Sequence, residues 1–164
     1  MGGTFDPSNI GHIKISSEPK KRYALKKIIW AITKKNPLKK KSNLSLKQRI
    51  KFAKKLTCKK KFIKVNYYED KINSNKTIKL INFIQKRERN SKIYFIMGAD
   101  NLVNFHKWCG WKEILSKCNI LVFDRNNYKN KSLKSIAYKK YNKKRLEYIN
   151  FKKVNISSSQ LRKI

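Results

Sequence analysis

Short apolar runs of strand type alternate with stretches of helical periodicity along the chain, and this alternation constrains the fold more than any other feature. The runs occupy 28–33, 62–68, 93–97, 120–123 and 148–154, and the helical stretches lie near 10–26, 46–56, 77–87 and 111–117. Strand–helix alternation predicts an α/β fold with an open parallel sheet covered by helices on both faces. The unbroken apolar runs 93–97 and 120–123 suit strands buried on both sides. At 164 residues, a single domain spanning 1–164 is expected. Ser45-Leu46-Lys47-Gln48 reads as a capping box, in which the Ser hydroxyl takes an amide of the first turn and Gln reaches back. Two features sit badly with this pattern. Pro19 falls inside the first helical stretch, where it should kink or split the helix. Met1 stands directly before Gly2-Gly3, so the strand expected ahead of a phosphate loop is missing.

Composition narrows the class of protein. Lys plus Arg number 43 against 9 Asp plus Glu, a formal charge of +34, which invites a nucleic-acid reading because polyanions gain affinity by counterion release. Seven of the 43 are Arg and the rest are Lys, spread from Lys14 to Lys163. A protein selected to grip phosphate backbones would use more forked Arg contacts, so compositional drift accounts for the charge and no specific nucleic-acid partner is expected. The three cysteines, Cys58, Cys109 and Cys118, form no C-x-x-C pair, which suits a reducing compartment. The longest apolar runs have five residues, 28–32 and 93–97, where a membrane helix needs about 20. A cytoplasmic protein with no membrane partner is expected.

Three stretches carry chemistry. Gly2-Gly3-Thr4-Phe5-Asp6-Pro7 followed by Gly11-His12 places adjacent glycines, whose amides approach an anion closely and whose dihedrals are open, ahead of a helix start with unpaired amides. A phosphate chain is the natural occupant, although Gly-Gly-Thr is also compatible with an ordinary turn. Ile156-Ser157-Ser158-Ser159-Gln160-Leu161-Arg162 would cap a helix start and could bind phosphate oxygens, Arg162 adding a fork of donors; a plain capped terminal helix reads equally well. Between them, Gly98-Ala99-Asp100-Asn101 ends the most apolar strand, where ligands sit in open parallel sheets. Trp108 and Trp111 follow; an indole can stack on a heteroaromatic ring, and one of the two belongs to the core. The sequence shows no carboxylate cluster able to hold a metal.

In order and spacing these elements resemble the nucleotidyltransferase superfamily, whose signature is a Gly-rich loop, an H-x-G-H element and a late I-S-S-x-x-x-R element. More closely, G-G-T-F-D-P, G-A-D-N after a strand, W-x-x-W, Phe123-Asp124-Arg125 and I-S-S-S-Q-L-R look like the bacterial nicotinate-nucleotide adenylyltransferases. Asn36-Pro37-Leu38-Lys39 and Arg49 stand where those enzymes have a P-x-K loop and a helix Arg. The resemblance runs from Gly2 to Arg162 and implies a Rossmann-like nucleotidyltransferase fold.

It also implies a reaction, in which the phosphate of nicotinate mononucleotide attacks the α-phosphorus of ATP to give deamido-NAD and pyrophosphate. By the same resemblance Gly2, Gly3, Thr4, Asn9 and His12 hold the ATP phosphates, and Ser158, Ser159 and Arg162 close over them, with His12, Asn9 and Arg162 as the catalytic set. Lys39 would meet the mononucleotide phosphate, Trp108 would stack on the pyridine ring near Thr77, and Asp100 would place the nucleotide. Asp6 would shape the loop, and Mg²⁺ would arrive on ATP, keeping several waters. One departure matters: H-x-G-H reads Asn9-Ile10-Gly11-His12. A neutral hydrogen bond contributes about 1 kcal/mol less than a charged one, which would slow the step roughly fivefold. Two other readings stay open: transfer to a different acceptor, nicotinamide mononucleotide or phosphopantetheine, and a basic RNA-binding protein on a degenerate nucleotidyltransferase scaffold.

Overall fold

Parallel neighbours cannot be joined by a tight turn, and every connection between the described strands contains a helix. The structure is a computed structural model that describes residues 1–35, 42–125 and 127–150. Its contacts fall into two compact units, one built on Met1–Asn75 and the other beginning at Lys76.

The first unit runs β1 (Gly2–Gly3), α1 (Ile10–Arg22), β2 (Ile28–Ile32), α2 (Leu46–Thr57), β3 (Ile63–Tyr67) and α3 (Glu69–Ile72). Its strands form a parallel sheet in the order β1-β2-β3. The strand expected to be missing is therefore present in short form. Gly2 pairs with Ala31 and Gly3 with Ile32, because the backbone of Met1 to Gly3 supplies the ladder. The Met1 ammonium donates to the Ile29 carbonyl at 2.9 Å, and the Ala31 and Thr33 amides donate to the Met1 and Gly3 carbonyls. Pro19 does not split α1. It lies three residues before the helix end at Arg22, so one amide is lost near the last turn, and the Tyr23 amide still donates to its carbonyl at 2.9 Å. The helix stops short of residue 26 because Ala24 takes a left-handed conformation with φ 49°. On α2 the capping box forms as read, the Gln48 amide donating to Ser45 Oγ and the Ser45 amide to Gln48 Oε1. The buried stripe of α2 is Arg49, Ala53 and Thr57, so one of its three buried positions holds a guanidinium.

The second unit runs α4 (Thr77–Arg87), β4 (Tyr94–Gly98), α5 (Ala99–Val103), a 3-10 turn (Phe105–Lys107), α6 (Trp111–Lys117), β5 (Asn119–Phe123), α7 (Lys129–Leu133), α8 (Ile136–Tyr141) and β6 (Leu146–Ile149). Its sheet is again parallel, in the order β4-β5-β6. The expected parallel α/β architecture forms, its ladders falling into two three-stranded sheets. Ile120, Leu121, Val122 and Phe123 are all buried, as their unbroken run requires, and each contributes roughly 1.5–3 kcal/mol of burial. Among the described residues the last strand is Leu146–Ile149, with Leu146 and Ile149 buried; it meets the expected run 148–154 at Tyr148 and Ile149, and 151–154 lie outside the described residues.

Cys118 donates to the Ile114 carbonyl and burial pushes its thiol up to about 12, whereas Cys58 and Cys109 are exposed. A thiol-labelling reagent near neutral pH should therefore modify two cysteines quickly and the third only on unfolding. The same shift has a pH sign. The folded state keeps the Cys118 proton where the unfolded chain has lost it, so this contribution is whole below the ordinary value of 9.0 and disappears as pH rises towards about 12. Burial and a hydrogen bond to Asp124 raise the Tyr148 phenol in the same direction. Melting temperature should fall steadily above pH 9, and the fall should shrink in a Cys118→Ala variant.

Candidate active site

The Gly-rich loop leaves β1 and reaches α1 through residues 4–9. Neither Gly2 nor Gly3 takes a positive φ; the left-handed residue is Phe5, with φ 49°. The glycines thus serve by openness rather than by unusual dihedrals. Among the described residues, a Cβ on Gly2 would meet nothing nearer than the Ala31 carbonyl at 4.0 Å, so those residues leave the backbone there open. Phe5 holds its strained conformation by packing. It is buried and stacks on Trp30 with centroids 4.9 Å apart.

At the start of α1, Asn9 is the N-cap, and its Oδ1 accepts the His12 amide at 3.3 Å. His12 completes a reciprocal box, its Nδ1 accepting the Asn9 amide at 3.1 Å. In the neutral ring this puts the proton on Nε2, which becomes the donor. Asn9 Oδ1 also lies 3.0 Å from His12 Nδ1, so it would accept from the ring once protonated. The Asn9 oxygen is thus turned to the cap, and its amide group is the part able to donate to an anion.

Asp6 and Arg49 hold the loop in place. Asp6, 4% exposed, accepts the Asn43 and Leu44 amides at 2.8 and 3.0 Å, which fits a loop-shaping carboxylate. Arg49, 2% exposed, donates to four carbonyls: Thr4 at 2.7 Å, Thr33 at 2.8 Å, Lys34 at 3.1 Å and Leu44 at 3.2 Å. Burial lowers its pKa from the usual arginine value, and the Asp6 and Glu69 carboxylates oppose that shift. Glu69 accepts the Thr33 hydroxyl and, at 3.0 Å, the Lys34 amide. The end of β2, the Gly-rich loop and the start of α2 are thereby fastened around one cation.

In the second unit, Asp100 sits in the first turn of α5, beyond the carboxyl end of β4. Its Oδ2 accepts from Arg125 Nη1 at 2.8 Å. Gly98 allows this, since a Cβ there would stand 2.5 Å from Asp100 Oδ1. Asp124 accepts the Tyr148 hydroxyl at 2.7 Å, so the members of Phe123-Asp124-Arg125 divide between core, strand tether and ion pair. Both indoles rest half-buried on the second core, rather than one inside and one out. Trp108 meets Phe95 and Phe105 edge-on, and Trp111 meets Phe105 and Tyr141. Trp108 Nε1 is shielded and has no acceptor among the described residues. Gly110, at φ 67°, packs on Ile78 with 3.4 Å left for a Cβ, which sets the Trp108–Trp111 turn against the first turn of α4, where Thr77 lies.

Lys39, Ser158, Ser159 and Arg162 lie outside the described residues, as do Asn36, Pro37, Leu38 and the rest of the serine-rich element. Among the described residues no group of three His, Cys, Asp or Glu could hold a metal ion, and no helix is long and apolar enough to cross a membrane. Residue reading missed Trp30 and the Asp100–Arg125 pair. Trp30 carried no signal beyond its place in an apolar run, and Asp100 and Arg125, 25 residues apart, lie beyond local pattern.

Comparison with known proteins places this geometry among relatives. The cytidylyltransferase-like family description matches residues 1–164. A protein of Pelagibacter ubique (strain HTCC1062), named "Probable nicotinate-nucleotide adenylyltransferase", is 64% identical over 164 residues, all of this chain and 91% of its own length. One of the same name from Rhizobium meliloti (strain 1021) is 34% identical over 76% of this chain and 66% of its own length. Plasmodium falciparum nicotinic acid mononucleotide adenylyltransferase, solved with APC and with NaAD, has the same fold, with TM-scores of 0.75 and 0.74 at 18% identity over 99% of this chain and 80% of that one.

Proposed function

Because this chain belongs to the cytidylyltransferase-like family, and within it to the nicotinate-nucleotide adenylyltransferases, we propose that it transfers the adenylyl group of ATP to nicotinate mononucleotide in NAD biosynthesis. What carries the choice of acceptor is the 64% identity maintained along the whole chain with a relative of that name. The open glycine face and the His12 donor at the start of α1 support the phosphate chemistry. The family match across 1–164 supports reading both units as one nucleotidyltransferase domain, and a cytoplasmic location is part of the same proposal. The chemistry calls for no nucleic-acid or membrane partner.

A phosphate oxygen of the mononucleotide forms a bond to the α-phosphorus of ATP as the bond to the β-phosphate oxygen breaks, and pyrophosphate leaves. The attacking phosphate is already ionised at neutral pH, so no general base is needed, in keeping with an Asp6 occupied by two backbone amides. Such a transfer depends on alignment and on donors facing the developing charge. Gly2, Gly3 and Thr4 offer backbone to the triphosphate, and Asn9 and His12 Nε2 donate to it. Ser158, Ser159 and Arg162 close over the leaving pyrophosphate, and Lys39 meets the acceptor phosphate. Asp100 places the nucleotide, while Trp108 stacks on the pyridine beside Thr77. Magnesium enters as the MgATP substrate and offsets charge on the phosphates.

Separation of the products after incubation with ATP and nicotinate mononucleotide tests this reading: deamido-NAD should form only when both are present. No dinucleotide from either mononucleotide would contradict it. In a Trp108→Ala variant, loss of stacking worth roughly 1–3 kcal/mol should raise KM for the pyridine nucleotide about tenfold. KM for ATP should stay within about twofold, and equal effects on both would place Trp108 in the scaffold alone.

A further inference from the structure

We propose that Trp30 is a positioning residue for the His12 imidazole, acting through Ser16; the inference rests on the reading of His12 as a donor to the ATP phosphates. Trp30 stands in the middle of β2 and is fully buried. Its neighbours along the strand are aliphatic, and apolar filling alone would be met by another such residue, whereas a buried indole brings an N–H that needs an acceptor. That acceptor is Ser16 Oγ at 2.8 Å. The Ser16 hydroxyl donates in turn to the His12 carbonyl at 2.8 Å. An indole only donates and a carbonyl only accepts, so the chain Trp30 to Ser16 to His12 has one direction, and each bond polarises the next.

The same indole also touches the ring it steadies. Trp30 meets His12 edge-on with centroids 5.9 Å apart, and Phe5, stacked on Trp30, lies 4.9 Å from the imidazole on a tilted plane. Packing thus confines the ring while the Asn9 amide holds Nδ1 at 3.1 Å. A ring flip would turn a C–H towards that amide. The cage therefore selects one rotamer and, in the neutral ring, one tautomer, with Nε2 as donor.

The test uses the intact chain and two readouts. The sequence has two histidines, His12 and His106, so ¹⁵N-imidazole correlation spectra resolve both rings, and a His12→Gln sample assigns them. In the wild type, neutral His12 should carry its proton on Nε2. Ser16→Ala breaks the relay and keeps the indole; Trp30→Phe keeps a ring and removes the N–H. Both should leave His106 unchanged, blur the single tautomer at His12, and lower kcat about five- to tenfold while KM for each substrate stays within about twofold. Ile28→Val, a buried change elsewhere on β2, should lower stability without moving either readout. If Trp30→Phe does not fold, Ser16→Ala decides alone. A wild-type ring protonated on Nδ1, or folded variants that keep both the tautomer and kcat, would overturn the proposal. Absence of any dinucleotide product from the wild type would instead strike the functional reading and leave the spectra to judge the positioning.

Discussion

Replacing His12 by Ala should lower kcat about a hundred- to a thousandfold, the usual cost of removing one donor aimed at developing charge. The substitution also removes half of the reciprocal cap on α1, because Nδ1 no longer accepts the Asn9 amide. The Asn9 side chain still accepts the amide of residue 12, so the loss of stability should be about 1 kcal/mol. In a chain of this size that lowers Tm by roughly 2–4 °C. A large kinetic effect beside a small thermal one is therefore the expected signature, read by steady-state kinetics and a melting curve on the same preparation. Collapse of the fold would make His12 a structural residue, and an unchanged kcat would remove it from the site.

Arg49→Leu should have the opposite signature. Four carbonyls lose their donor at once, and Asp6 and Glu69 lose the buried cation nearest to them. Breaking a buried charge arrangement by removing one partner costs about 3–5 kcal/mol, or a fall in Tm of roughly 6–20 °C at about 2–4 °C per kcal/mol. Arg49→Lys should recover only part of this, since an ammonium cannot fork across carbonyls on three segments. Urea unfolding of both variants checks it. A loss under 1 kcal/mol for the Leu variant would mean that the loop holds its shape without the clasp.

The elements legible in the sequence were those long enough to show a period. Strands β2 to β5 and helices α1, α2, α4 and α6 lie within a few residues of where apolar spacing put them, because apolar residues recur regularly along them, even though Ser16, Arg49 and Thr57 are among the buried positions of α1 and α2. The short helices α3, α5, α7 and α8, of four to six residues, contain too few turns to show an amphipathic stripe; Lys129–Leu133 holds one apolar residue. The two-residue β1 carries no period at all, and its pairing is written in backbone groups rather than side chains. Pro19 was misread because the rule for prolines weighs the helix interior, and this one stands near the last turn.

In the site, motif order named candidate residues, but not how they are held. Nothing in Asn9-Ile10-Gly11-His12 says that the Asn oxygen turns inward to the cap. Nor does the spacing show that the left-handed residue of the loop is Phe5 rather than a glycine, or that a buried arginine gathers four carbonyls. The last two are outcomes of packing between segments up to 45 residues apart, beyond the reach of local pattern. The roles of Lys39, Ser158, Ser159 and Arg162 rest on motif order and family likeness, and substitution at each is the way to weigh them.

The central claim is most directly tested by following pyrophosphate release from MgATP with nicotinate mononucleotide, nicotinamide mononucleotide and phosphopantetheine in parallel. The account predicts release that requires an acceptor, is fastest with nicotinate mononucleotide, and matches the deamido-dinucleotide formed one for one. Fastest release with phosphopantetheine, or none with any acceptor from a folded wild-type protein, would contradict it.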